Sequence, residues 1–332
     1  MSTITASNCR FCSVVSKTNG EDPIGTADTY DQWLILEMPL PWDKTIWMEP
    51  NPVPPDVHAA LAPVWELNFR FRPLAIAPDR DYSQPGRTRV LHFRRPPTPF
   101  AQLEKREYLV PTDAVASLVT ALFLQPQLLP TFAPYRQDTD HVRDLLICTH
   151  GNVDVACARF GYPIYRQLRQ HYACNRLRVW RVSHFGQHQF APTLLDMPEG
   201  RCWGHLESNQ LDLLVHRKGE IDRMRSFYQG WCVLNQFEQI AEREIWLQEG
   251  WDWLSDLKWG ETLAIDPSNA DAPNWADVEI HFTSPDGERS GVYEARIEAC
   301  GQVTTMWSSG DETSLEAVKQ YQVSHLHKVQ IL

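Results

Sequence analysis

Residues 144–204 read DLLICTHGNVDVACARFGYPIYRQLRQHYACNRLRVWRVSHFGQHQFAPTLLDMPEGRCWG. Asp144–Cys148 is a continuous apolar run closed by a cysteine, the pattern of a strand buried on both faces. Cys157–Tyr172 reads as a helix that contains a proline. Leu177–Ser183 alternates as a strand. Thr193–Asp196 and Arg201–Trp203 form a hairpin that turns at Pro198-Glu199-Gly200. Ser208 then caps a helix through Leu211, Leu214 and Val215. With the hairpin counted as one β element, the order is β-α-β-β-α, which makes this part of the chain an α/β unit.

Upstream, the same order of elements recurs. Trp33–Met38 is a strand. A helix follows Pro54 and Pro55, with Val57, Leu61, Val64 and Leu67 on one face. Pro73–Ala77 and Arg89–Phe93 are short strands, and a second helix carries Val115, Leu118, Val119 and Leu122. The two stretches share no visible sequence identity. Downstream, Asn235 and Glu238 have capping-box spacing, and Phe237, Ile240, Ala241 and Ile245 form an apolar helix face. Val278–Phe282 and Val292–Ile297 flank the turn Ser284-Pro285-Asp286-Gly287, which predicts a hairpin. Asp266–Asn274 is expected to be a loop. The division that results is 1–135, 136–216 and 217–332.

The chemistry concentrates in four residues. Cys148 ends the buried strand, and Cys157 follows it in a C-x8-C pattern near a helix start. His184 and His188 lie in the loop after the next strand, in His184-Phe185-Gly186-Gln187-His188. Strand ends place all four at one edge of the sheet, where ligands of open α/β sheets bind. Gly186 lets the loop fold tightly so that both imidazoles converge. Two thiolates and two neutral imidazoles suit tetrahedral zinc or a binuclear iron–sulfur centre. Zinc sites of the finger type space their cysteines by two to four residues; the longer C-x8-C loop favours the bulkier cluster.

The segment Phe190-Ala191-Pro192-Thr193 … Pro198-Glu199-Gly200 resembles the β3–β4 hairpin of thioredoxin, which begins with a cis-proline. The runs Cys148-Thr149-His150-Gly151, Cys157-Ala158-Arg159-Phe160-Gly161-Tyr162-Pro163 and Val179–Thr193, with the segment from Pro198 to Gly204, resemble the sucrase/ferredoxin-like family. Phe11-Cys12-Ser13 and Gly250-Trp251-Asp252-Trp253 resemble its long members. The family's histidine motif is usually H-x-G-G-H, and Gln187 here replaces its second glycine. The repeated order of elements predicts two tandem thioredoxin-like units followed by a helical and β extension, and the resemblance implies that the second unit carries a [2Fe–2S] cluster on Cys148, Cys157, His184 and His188. It also implies that Pro192 is cis. The implied role is electron transfer, which can couple to protons through the imidazoles. It implies an electron carrier rather than a stand-alone enzyme, and no paired carboxylates for glycoside hydrolysis are found. The competing readings are a zinc-stabilised binding module on the same four ligands and a thiol oxidoreductase.

Composition agrees with a globular chain of this size. Its 332 residues are 43% apolar and 22% charged, with a net charge of −11, which argues against nucleic-acid or anionic-membrane partners. No secretory signal or membrane-length apolar run is visible, so a cytoplasmic protein is expected. The redox donor and acceptor are not readable from the sequence. Of the eight cysteines, Cys174, Cys202, Cys232 and Cys300 read as small apolar residues. Cys9 and Cys12 form a CxxC pair without a second half. His150, between the two cysteines, reads as a loop residue rather than a donor to the ligands or a substitute ligand, and Arg159 reads as either a neighbour of the cluster or a solvated side chain. His325 and His327 share one side of a strand without further ligands. The tryptophans Trp246, Trp251, Trp253 and Trp259 read as core filling.

Overall fold

The computed structural model describes residues 10–48, 53–310 and 315–330. The chain opens with helix α1 (Cys12–Thr18), strand β1 (Gln32–Glu37), helix α2 (Pro55–Leu61), and strands β2 (Phe71–Ile76), β3 (Arg87–Arg94) and β4 (Glu104–Pro111). Helix α3 (Val115–Phe123) and the short strand β5 (Arg136–Gln137) follow. Next come β6 (Arg143–Cys148), α4 (Val155–His171), β7 (Leu177–Val182), β8 (Leu194–Met197), β9 (Arg201–Trp203), α5 (Leu211–His216) and β10 (Tyr228–Trp231). The last part comprises α6 (Gln236–Glu249) and strands β11 (Leu257–Ile265), β12 (Trp275–Thr283), β13 (Ser290–Thr305) and β14 (Glu316–Gln330).

The protein is a mixed α/β structure with one ten-stranded sheet, ordered β10-β9-β8-β6-β7-β2-β1-β3-β4-β5, and a separate four-stranded sheet of β11 to β14. Within the large sheet the topology repeats. β1 is parallel to β2 and antiparallel to β3, which pairs antiparallel with β4. Likewise β6 is parallel to β7 and antiparallel to β8, which pairs antiparallel with β9. The two repeats join edge to edge where β2 meets β7, at Ile76 and Val182. Ser183, next to the first histidine of the motif, closes that joint: its N–H donates to the Ala75 carbonyl and its Oγ accepts from the Ala75 N–H.

Burial explains the strands. The four central residues of β1, Trp33 to Leu36, are all buried. Trp33 and Ile35 point into one core with Leu145, Ile147 and Trp180, whereas Leu34 and Leu36 point into a second with Val57, Leu61 and Leu118. A strand covered on both faces must be apolar throughout, as this one is.

The large sheet does not lie flat. β4 and β6 are five positions apart in strand order, roughly 24 Å in a flat sheet. Yet Lys105 on β4 places Nζ 2.6 Å from the Asp144 carboxylate on β6. The sheet rolls until these strands face each other across buried charge. Arg178 on β7 donates to both Asp144 and Glu107, and Arg89 pairs with Glu107. These polar groups hide β4 from sequence reading: two of its inward residues are Lys105 and Glu107, so its alternation looks like a solvated stretch.

The C-terminal part contains the expected hairpin of β12 and β13 and residues 266–274 as a connection. It is larger than a hairpin, because β11 and β14 flank that pair. Asn235 and Glu238 form a complete capping box at the start of α6. Trp246 and Trp253 are fully buried, but Trp259 is exposed and stacks on His281 instead of filling the core. No described helix is long and apolar enough to cross a membrane.

Candidate metal centre

Four elements bring the site together. Cys148 is the last residue of β6. Cys157 is the third residue of α4. α4 starts two residues earlier than the cysteine because Asp154 caps it, accepting from the Ala156 N–H. His184 follows β7 by two residues, and His188 opens a short 3-10 turn. Both thiols are fully buried, and both imidazoles are half-buried.

The ligand atoms of Cys148, Cys157 and His184 all lie within 4.8 Å of one another. His184 Nδ1 is 3.9 Å from each Sγ. The His188 ring stands beside that of His184, centroid to centroid 5.5 Å. Its Nδ1 faces a second group, 3.6 Å from Cys12 Sγ and 3.7 Å from Asp154. The structure thus joins three of the expected four ligands directly and sets the fourth at their side, shared with Cys12 and Asp154.

Burial alone would raise Cys148, but the hydrogen bond from Cys157 and the His184 imidazole hold it well below the ordinary thiol range. Cys157, the donor to Cys148 and itself buried, is raised well above that range. Cys12 differs: burial pushes its thiol up to about 12, so it stands as a neutral S–H beside Asp154 and His188 and accepts from Ser309 Oγ.

Supporting groups hold the loop. His150 is buried, and its Nδ1 accepts from the His184 backbone N–H at 3.2 Å. Its Nε2, 3.1 Å from the Trp42 carbonyl, then carries the ring proton. This side chain lies in a loop, as expected, and from there it supports a candidate ligand. Arg72 Nη2 donates to the His184 carbonyl at 2.9 Å. Gly186 has φ +124°, a region open to glycine, and an added Cβ would lie 2.7 Å from Asp28. Gln187 has φ 57°, in the left-handed region; it occupies the position of the motif's second glycine, where glycine is the least strained residue. Ala191–Pro192 is cis, as the thioredoxin resemblance implies.

The remaining candidates fall outside the centre or have other duties. Cys9 lies outside the described residues. Cys12 is buried at the start of α1 against His188; the CxxC pair and the Phe11-Cys12-Ser13 resemblance single it out, but not this contact. Cys202 and Cys232 are buried, whereas Cys174 and Cys300 are exposed and do not act as core residues. Arg159, His325 and His327 are exposed. Asp154 escaped sequence reading because a capping aspartate is common; its second contact, from the Ser309 N–H at 2.7 Å, depends on a residue 155 positions away.

A comparison with known families matches residues 23–230 to the family model described as Sucrase/ferredoxin-like. That span is more than half of the chain and contains all four ligand candidates. No curated protein and no solved structure matches this sequence significantly.

Proposed function

The chain belongs to the sucrase/ferredoxin-like family, and from that premise we propose that it is a [2Fe–2S] electron carrier. Cys148 and Cys157 would hold one iron, and His184 and His188 the other. The observation that carries the reading is the grouping of two buried thiols with a half-buried imidazole within 4.8 Å, beside a second imidazole. The donor set fits: paired thiolates retain iron strongly, and paired imidazoles in place of thiolates raise the reduction potential. When bound, the cluster would supply one-electron chemistry. The protein's own residues do the rest. Buried thiols keep water from the sulfur side, while His184 and His188 stand at the surface, where a partner or a proton can reach them.

The repeated strand order supports reading residues 1–135 and 136–216 as two thioredoxin-like units, the first without ligands, with 217–332 as an extension. A cytoplasmic carrier exchanging electrons with unidentified donor and acceptor, and binding no nucleic acid or membrane, accords with this chemistry and with the net charge of −11.

A second reading rests on the same geometry. Three ligand atoms within 4.8 Å also suit one zinc ion, with His188 closing a tetrahedral Cys2His2 site. Anaerobically purified protein separates the two. The carrier requires a red-brown protein with two irons and two acid-labile sulfides per chain, lost in Cys148→Ser and Cys157→Ser. A colourless protein with one zinc and no sulfide would replace the carrier with a zinc-stabilised module.

A further inference from the structure

A cavity of about 580 Å³ opens beside the centre, and His184 forms part of its wall. Its volume falls in the range of small-molecule sites, which are apolar-walled with a few convergent polar groups. Here the walls include Trp47 and Trp65, and Trp65 remains 48% exposed. A tryptophan left half in water at the mouth of a cavity is an open stacking surface. The charge of the lining is the reverse of the chain's. Among the described residues, the lining carries Lys44 and Arg72 against one carboxylate, Glu66, in a protein whose net charge is −11. Cationic side chains in a concave, low-dielectric wall concentrate anions. Arg72 also has an unused donor: its Nη2 serves the His184 carbonyl, but its Nε is buried without a hydrogen-bond partner among the described residues.

From these features we propose that the cavity binds a planar aromatic small molecule bearing one anionic group. The ring system stacks on Trp65 and Trp47, and the anion meets Lys44 and Arg72. A molecule seated there lies against the His184 imidazole. Binding itself does not depend on the identity of the metal centre; only its use as an electron-exchange position rests on the reading proposed above.

Anthraquinone-2-sulfonate is a suitable probe, with neutral 2-(hydroxymethyl)anthraquinone as its uncharged counterpart. Isothermal titration of the full-length protein as purified should give saturable 1:1 binding of the sulfonate. The neutral compound should bind about tenfold more weakly. Trp65→Ala and Lys44→Glu should each weaken sulfonate binding by about tenfold or more. Both side chains are exposed, so the variants should keep the wild-type circular dichroism and thermal midpoint. No saturable binding, or affinity unchanged in both variants, would overturn the proposal. Equal affinity for the neutral compound would overturn its anionic part. Metal and visible absorbance are recorded on the same samples. Sulfonate binding that persists in protein without an iron chromophore would therefore uphold the cavity while removing the electron carrier.

Discussion

At the residue scale, the centre depends on side chains that do not themselves reach a metal. His150 is the clearest case. Its ring accepts from the His184 N–H and bonds the Trp42 carbonyl, so it ties the ligand loop to the first repeat. A buried backbone N–H that loses its acceptor costs about 1–3 kcal/mol. His150→Phe preserves bulk and removes both bonds. The expected result is a loss of about 1–3 kcal/mol in urea unfolding, together with an altered visible spectrum of the metal-loaded protein. Wild-type stability and spectrum would show that His150 does not position His184. The sequence allowed His150 a supporting role among others, but its partners were not legible, because they lie 34 and 108 positions away.

At the element scale, the decisive contact is that of α4 on the end of β6. Gly161 sits where the helix crosses the strand, and an added Cβ would lie 2.1 Å from the Cys148 carbonyl oxygen. Two effects oppose each other in Gly161→Ala. Alanine favours the helix by about 1 kcal/mol. Overpacking against backbone costs about 1–3 kcal/mol, and a 2.1 Å approach cannot be relieved by rotating a side chain. The overpacking term wins, and the strain falls on the peptide that carries a ligand. The variant should be less stable by thermal unfolding and should retain less metal after dialysis; full retention with raised stability would refute the contact. Two further elements close the other side. α1 brings Cys12, and the end of β13 leads to Ser309, both onto Asp154 and thus beside His188. The ligand loop is held by segments from both ends of the chain.

At the scale of the whole molecule, buried charge holds the rolled sheet. Burial alone would raise the Asp144 carboxyl, but Arg178 and Lys105 outweigh it and hold it below its ordinary value of 3.8. The native state therefore keeps this group ionised where the unfolded chain has begun to bind a proton. Stability from it is fully present above about pH 5, and it is lost as pH falls through 4 toward the lowered native value. Asp144→Asn should cost about 3–5 kcal/mol at pH 7, because Lys105 and Arg178 lose a partner. The variant should also lose less further stability between pH 5 and 3 than the wild type does, measured by urea midpoints at each pH. Parallel losses in both proteins would place the acid sensitivity elsewhere. The same network explains the division between sequence and tertiary structure. The sequence by itself determined most of the local elements and named the candidate ligands: apolar runs such as Asp144–Cys148, the capping box at Asn235, and the C-x8-C and H-x3-H spacings are short-range patterns set by helix and strand periods. Only the tertiary structure decided that β4 is a strand, since Lys105 and Glu107 are inward-facing only if the sheet rolls. It alone joined the two repeats at β2 and β7, brought Cys12 and Ser309 to Asp154, and opened a cavity at His184. Each of those depends on contacts between residues tens to hundreds of positions apart, and no local period encodes them.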